Sequence, residues 1–294
     1  MKKLLSILFL ATLVLSCQKS KENKEETQVS ESFDKERDAF FANMLTPGEA
    51  AAALQATAAE FNANLMNDPK FSAGYATSEV KAAANLGVYL ADLNYSIAYK
   101  QTANTKELFT AAQELSKAIG IEQTILDFLM KRYTENLAQH DSAHAIINDL
   151  FKKSTTGLQG TDREKLVGIA MAAYQIENLH LGVGIIESYP KDMLPDDART
   201  QILVPVYRMV LSQQQNVENI YSFLKSIADP TNPEKNPNYA YYATAFEELI
   251  ALYKKLDVSE KIANNQGLEL MKDSVVQELS AKINAIRNKI VSPE

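Results

Sequence analysis

The chain has 294 residues, 46% of them hydrophobic, with 37 acidic against 30 basic side chains and a formal net charge of −7. That is enough chain and apolar surface for a real core, while the acidic balance repels nucleic acid phosphate and anionic lipid heads and argues against both as ligands. A single cysteine, Cys17, excludes an internal disulfide and any multi-thiolate metal site.

Residues 1–17, MKKLLSILFLATLVLSC, set Lys2 and Lys3 before a twelve-residue apolar core, Leu4 to Leu15, too short to span a bilayer permanently. This reads as a removable signal. The segment Val14-Leu15-Ser16-Cys17 resembles the lipobox of bacterial lipoproteins. The resemblance implies that residues 1–16 are cleaved and that Cys17 becomes the first residue and takes up lipid chains. Cleavage removes Lys2 and Lys3 and takes the net charge from −7 to −9, so the lipid on Cys17 must supply the membrane attachment. No other segment reaches about 18 apolar residues, and no transmembrane helix is expected. Beyond that lipid, no cofactor is implied.

Residues 18–38, QKSKENKEETQVSESFDKERD, carry only Val29 and Phe33 as apolar residues and cannot bury enough to order themselves. Residues 17–38 are therefore read as a lipidated cysteine and a flexible tether with a reach of roughly 25 Å. Gln18 lacks the aspartate that retains many lipoproteins in the inner membrane, so the resemblance points to the cell envelope and its outer membrane, with the periplasmic or surface face left open. Lys21-Glu22 and Lys24-Glu25-Glu26 faintly resemble export tags of surface lipoproteins of the Bacteroidota. Mixed charge that keeps a tether soluble is the simpler account.

Residues 39–294 read as one all-helical domain, an all-α, irregular multi-helix bundle or short helical superhelix of about nine helices. Thr46-Pro47-Gly48-Glu49 is a capping box opening a helix to about Leu65. Further helices are predicted over Thr77–Thr102, over Thr105–Ile119 with Gly120 as its stop, over Glu122–Gln139, and from the cap Asp141 to about Ser154. The capping box Thr161-Asp162-Arg163-Glu164 opens a helix to about Glu187. One long helix is predicted from Asp197 to Ile227, kinked at Pro205, then one from Asn238 to Leu256 and a last one from Leu268 to Ile290. The last carries Val276, Leu279, Ile283, Ile286 and Ile290 on one face.

Two helices are apolar nearly all round and should be central. In the first, Ala84, Gly87, Ala91 and Ala98 form a small-residue seam that admits a close neighbour, with Asp92 and Asn94 as polar exceptions. In the second, between Ile169 and Ile186, only Gln175, Glu177, Asn178 and His180 are strongly polar. Helical spacing puts His180 in an apolar stripe with Ile169, Ala173, Ile176 and Val183, and Glu187 two turns on. Asp92, Asn94, Glu177, Asn178, His180 and Glu187 are thus the candidates for a buried polar site. On one reading His180 is a ligand or base there. On the other, His180 and Asn94 are core groups paired with a carbonyl or a tyrosine, while Glu177 and Asp92 reach solvent; buried polar groups are normally satisfied rather than catalytic.

Glu177-x-x-His180 has the carboxylate–histidine spacing that ferritin-like bundles place on one metal, and Asp141-x-x-His144 repeats it with a shorter acid. Asp141 fits better as a helix cap, and His140 falls outside the zinc-motif register. No catalytic residue is assigned, since no Gly-rich phosphate loop or nucleophile elbow occurs. Tyr239, Tyr241 and Tyr242 would make either a binding platform or core packing. The signal, the acidic tether and an all-helical body resemble uncharacterised helical lipoproteins of the Bacteroidota, with Leu86-Gly87-Val88-Tyr89-Leu90-Ala91-Asp92-Leu93-Asn94-Tyr95 as the segment carrying the likeness. The likeness implies no activity. The resulting expectation is a non-catalytic helical domain, membrane-attached through its lipid, that binds an envelope protein or a small ligand; the alternative is a metal-binding protein or metal-dependent enzyme centred on Glu177 and His180.

Overall fold

A computed structural model of the chain describes residues 47–121, 163–192, 194–227, 237–264 and 266–292, with single positions between 35 and 42 and between 127 and 153. Cys17, the tether up to residue 34, and all but single positions of the helices expected over 122–139 and 141–154 lie outside the described residues. Every regular element among the described residues is helical, and the fold class is all-α. No helix among them is long and apolar enough to cross a membrane.

α1 spans Pro47–Thr57, stopping well short of Leu65. Thr57 turns its hydroxyl back onto Leu54 O at 2.8 Å, and Ala58 takes a left-handed φ of 49°. The non-helical backbone that follows finds its partners on the next long helix: Asn62 N donates to the Tyr95 hydroxyl at 3.1 Å, and Tyr99 donates to Ala59 O at 3.0 Å. Those tyrosines make ending the helix here affordable in hydrogen-bond terms. A short α2, Ser72–Tyr75, leads into α3, Glu79–Ala98. Lys100 at φ 57° ends α3 and starts α4, Thr102–Ala118, whose stop at Gly120 (φ 84°) is the one expected.

α5, Glu164–Ser188, is the central helix: from Leu166 to Ile185 only Asn178 and His180 are less than buried. α3 lies against it over the broadest interface in the described residues. Gly87 makes this possible, because a Cβ there would run into Ala170 O and sit 2.8 Å from Tyr174 N. The small-residue seam of α3 does admit a close neighbour.

The long helix expected from Asp197 to Ile227 is two, α6 over Asp196–Leu211 and α7 over Gln214–Ile227. Pro205 is accommodated inside α6, and the break falls instead at Ser212-Gln213, where Gln213 N bonds Val210 O and the buried Gln213 side chain turns to neighbouring amides. α8 is Pro237–Leu256, and two short helices follow, α9 (Val258–Ala263) and α10 (Gly267–Leu270). The last helix begins at Ser274 rather than Leu268, because Asp273 caps it by accepting from Val275 N at 3.0 Å. This α11, Ser274–Ile290, buries its stripe of Val276, Leu279, Ile283, Ile286 and Ile290 as its spacing requires. α5 meets α3, α6, α7 and α11. A helix touched by elements from distant parts of the chain makes an irregular bundle rather than a superhelix, in which each unit meets only its neighbours.

Candidate functional site

Two turns of α3 separate Asn85 from Asp92 on one face, and both are fully buried. Asn67 approaches that face and donates its backbone N–H to Asp92 Oδ2 at 2.9 Å and its side-chain amide to Asn85 Oδ1 at 3.3 Å. Asn85 in turn donates to Ile290 O at 3.1 Å, and the Tyr75 hydroxyl donates to Val291 O at 2.7 Å, so the end of α11 is tied into the same network. From α5 comes Glu177, also fully buried, and from α11 comes Arg287, which forks it: Nε to Oε2 at 3.1 Å and Nη2 to Oε1 at 3.3 Å. Burial opposes the Arg287 charge most strongly, but Glu177, with smaller contributions from Asp92 and Tyr75, raises the guanidinium on balance.

Asp92 Oδ1 meets no N–H or O–H donor, and Glu177 stands beside it. Burial first, and the Glu177 charge second, push Asp92 well above the usual carboxylate range. A proton on Asp92 satisfies both facts, since it gives the orphaned oxygen a hydrogen to place toward Glu177. The cluster is then one neutral acid, one carboxylate and one guanidinium, with both acids fully buried and Arg287 partly exposed. It holds three helices together.

The expectation that Glu177 and Asp92 reach solvent is therefore wrong. A helical wheel shows that Glu177 borders an apolar stripe, but not that Arg287 arrives there from a position 110 residues away. His180 reverses in the same sense. It is half-buried rather than a core residue, and its Nδ1 lies within hydrogen-bonding distance of Asn284 Oδ1, at 2.7 Å. Glu177 and His180 thus engage different residues of α11 and do not converge on a common ligand position. Among the described residues no group of three or more His, Cys, Asp or Glu side chains is placed to hold a metal. His140, Asp141 and His144 lie outside the described residues, and Glu187 is exposed near the end of α5. Tyr239 and Tyr242 are buried and Tyr241 lies under Lys289 Nζ at 3.7 Å, so the three serve packing rather than a platform.

Asn94 and Asn178 leave the cluster for another place. Asn94 Nδ2 donates to the Tyr174 hydroxyl at 2.7 Å, and Asn178 Nδ2 to Tyr174 O at 2.8 Å. Burial pushes that hydroxyl up to about 12 against the pull of the two amides. Beside them lies a cavity of about 80 Å³, walled by α1, α3, α5 and α6 and opening to solvent on one side. Four amides form one arc of its wall: Asn94, Asn178, Gln175 and Gln213. Gln175 Nε2 donates to Gln213 Oε1 at 3.3 Å. Leu54, Leu181 and Ile185 are among the apolar residues opposite, and no lining residue is charged. Asn94 Oδ1 is buried without a hydrogen-bond partner, as is Asp92 Oδ1 in the cluster.

Residue patterns single out Asp92, Asn94, Glu177, Asn178 and Gln175 as polar exceptions on apolar helices. They do not divide them between a saturated cluster and a cavity, and they miss Asn67, Asn85, Gln213 and Arg287 altogether. A wider, shallower cleft of about 390 Å³ runs between α6 and α10, with Leu268 exposed at its edge. Comparison with known proteins found no matching family model, curated protein or solved structure.

Proposed function

We propose that this chain is a lipid-anchored protein of the bacterial cell envelope whose helical body binds a small ligand in the amide-lined cavity between α3, α5 and α6, without catalysing a reaction. The observation that carries the reading is the make-up of the cavity wall, in which the amides of Asn94, Gln175, Asn178 and Gln213 stand among apolar side chains and no lining residue is charged. A mostly apolar concavity with a few polar groups in its wall is the usual form of a small-molecule site. In the ion cluster, by contrast, Glu177 is forked by Arg287 and Asp92 accepts from Asn67. The anchor rests on the basic n-region, the short apolar core and the register of Ser16 and Cys17.

Native mass spectrometry of the protein extracted from its own membranes tests both halves. The expected spectrum shows a lipid mass on Cys17, lost in Cys17→Ser, and a further non-covalent small-molecule mass that is lost when Ala98→Phe fills the cavity mouth. An unlipidated wild-type chain would refute the anchor. A wild-type chain with no non-covalent mass, or the same mass on the filled variant, would refute the cavity as the binding site.

A further inference from the structure

We propose that the cleft of about 390 Å³ between α6 and α10 is a second binding site, for a small anion on an alkyl chain, a medium-chain carboxylate, with its head at Arg208 and its chain against Leu268 and Met271. The cleft shares no lining residue with the amide-lined cavity, so the two sites stand or fall separately. Leu268 and Phe71 are the large hydrophobic side chains left exposed among the described residues. Around Leu268, the side chains of Val204, Val258 and Met271 line the same cleft and are only half-buried. An apolar wall of this kind, still wet, favours an occupant that displaces its water. Gly267 leaves room beside it, since a Cβ there would meet nothing within 4 Å.

The head group follows from the cations around the cleft. On the α9 and α10 side, Lys261 donates to Asp273 at 2.6 Å and Lys272 to Asp197 at 2.6 Å, so both lysines already have a carboxylate. Arg208 is the one charged residue in the wall, one turn before Ser212, and among the described residues no ion pair or hydrogen bond holds its guanidinium. Its place in the last turn of α6 suits a cation, yet occupies none of its five N–H groups. No carboxylate lines the cleft. A chain of net charge −7 repels anions over most of its surface, and an unpaired arginine rooted in an apolar wall is the exception, able to hold a carboxylate by two parallel bonds. A cationic amphiphile would meet like charge there, and a neutral one would leave the fork to water. Val204 and Ser212 stand about 12 Å apart along α6, which suits an extended chain of roughly eight carbons.

Octanoate, 1-octanol and octylammonium share a chain and differ in charge. Each is titrated into the wild-type protein, with the methyl NMR signals of Val258, Leu268 and Met271 as the readout. Octanoate should move these signals and bind about fivefold more tightly than octanol, the value of an exposed charge pair of good geometry, and octylammonium should bind more weakly than either. Raising the salt to about 0.5 M should narrow the advantage of octanoate. In Arg208→Gln, octanoate should fall to the level of octanol while octanol binds as before. Equal binding of octanoate and octanol by the wild type, or tighter binding of octylammonium, overturns the anion. An advantage of octanoate that survives in Arg208→Gln overturns Arg208 as its partner. If no probe moves the three methyl signals, the site itself is refuted. Shifts confined to Leu54, Leu181 and Ile185 would put the chain in the amide-lined cavity, overturning the cleft and leaving that cavity as a binding site. The wild-type comparisons need no variant to fold.

Discussion

Asp92 and Asn94 stand two residues apart on one helix and meet opposite fates. Two residues of α-helix turn a side chain through most of half a circle, so Asp92 faces α11 and Asn94 faces α6. On the first side Arg287 forks Glu177 and Asn67 donates to Asp92, whose carboxyl is pushed up by burial and by Glu177. On the second, Asn94 and Asn178 pair with Tyr174 in the wall of an open cavity. Burial of polar groups is common to both regions, so burial by itself does not mark function. What separates them is that the second lines a cavity open to solvent.

The contrast breaks most violently at Arg287. Arg287→Met removes the only guanidinium in the cluster and leaves Glu177 buried opposite a neutral chain, which should destabilise the protein by about 3–5 kcal/mol in urea unfolding. Adding Glu177→Gln to that variant should recover a large part of the loss; a double variant no more stable than the single one would show that the charge pairing is not the cause.

A second prediction follows from the proton on Asp92. Because the folded state holds this carboxyl above its ordinary value, folding takes up a proton. The stability it contributes is complete below about pH 4, where unfolded aspartates are themselves protonated, and it is lost as pH rises through the raised folded value. Asp92→Asn imitates the protonated acid, accepting from Asn67 and donating toward Glu177. Plotted against pH, the wild type should therefore lose stability relative to Asp92→Asn between about pH 4 and neutrality. Parallel curves would show that Asp92 carries no extra proton.

His180 lies one turn from Glu177 on α5 and faces the same α11 helix, but with a single bond and partial exposure. His180→Ala should cost about 1 kcal/mol, well short of Arg287→Met, and His180→Gln should restore part of it by keeping a donor near Asn284. A loss of cluster size would mean that His180 belongs to the ion network. The smallest effect is expected in the cavity: Asn94→Leu gives up the bond to Tyr174 but also removes an unpaired buried oxygen, and the melting midpoint should move by the equivalent of less than about 1 kcal/mol. A large destabilisation there would make Asn94 a structural residue.

How much of this could be read from residues alone depends on the distance over which each feature is decided. The apolar character of α3 and α5, the seam at Gly87 and the isoleucine stripe of α11 are set by spacings within one helix, and each is legible as a period. Gly120 marks the end of α4 for the same reason. Helix breaks without glycine or proline are less visible: α1 stops at Thr57 because Tyr95 and Tyr99 serve the backbone beyond it, and α6 gives way to α7 at Ser212 while Pro205 passes unbroken. The polar cluster is the least legible part. Glu177 and Asp92 look like flank residues until a guanidinium comes from 110 positions away, and Asn67 looks like loop until its backbone N–H finds a carboxylate. The cavity is legible only as a surplus of amides on helices that otherwise avoid them.

Asn85 and Tyr75 reach the carbonyls of Ile290 and Val291 across 205 and 216 positions of chain. Contacts of that span close very large loops, and loop-closure entropy must be met before such contacts repay it. α3 and α5 can pair early, bringing Asp92 and Glu177 together while Arg287 is still in the unfolded part of the chain. Until α11 docks, the two carboxyls lack their cation and the isoleucine stripe lies open to water. A chain cut short before α11 would therefore keep Glu177 without its guanidinium and leave the surface that receives the isoleucine stripe uncovered.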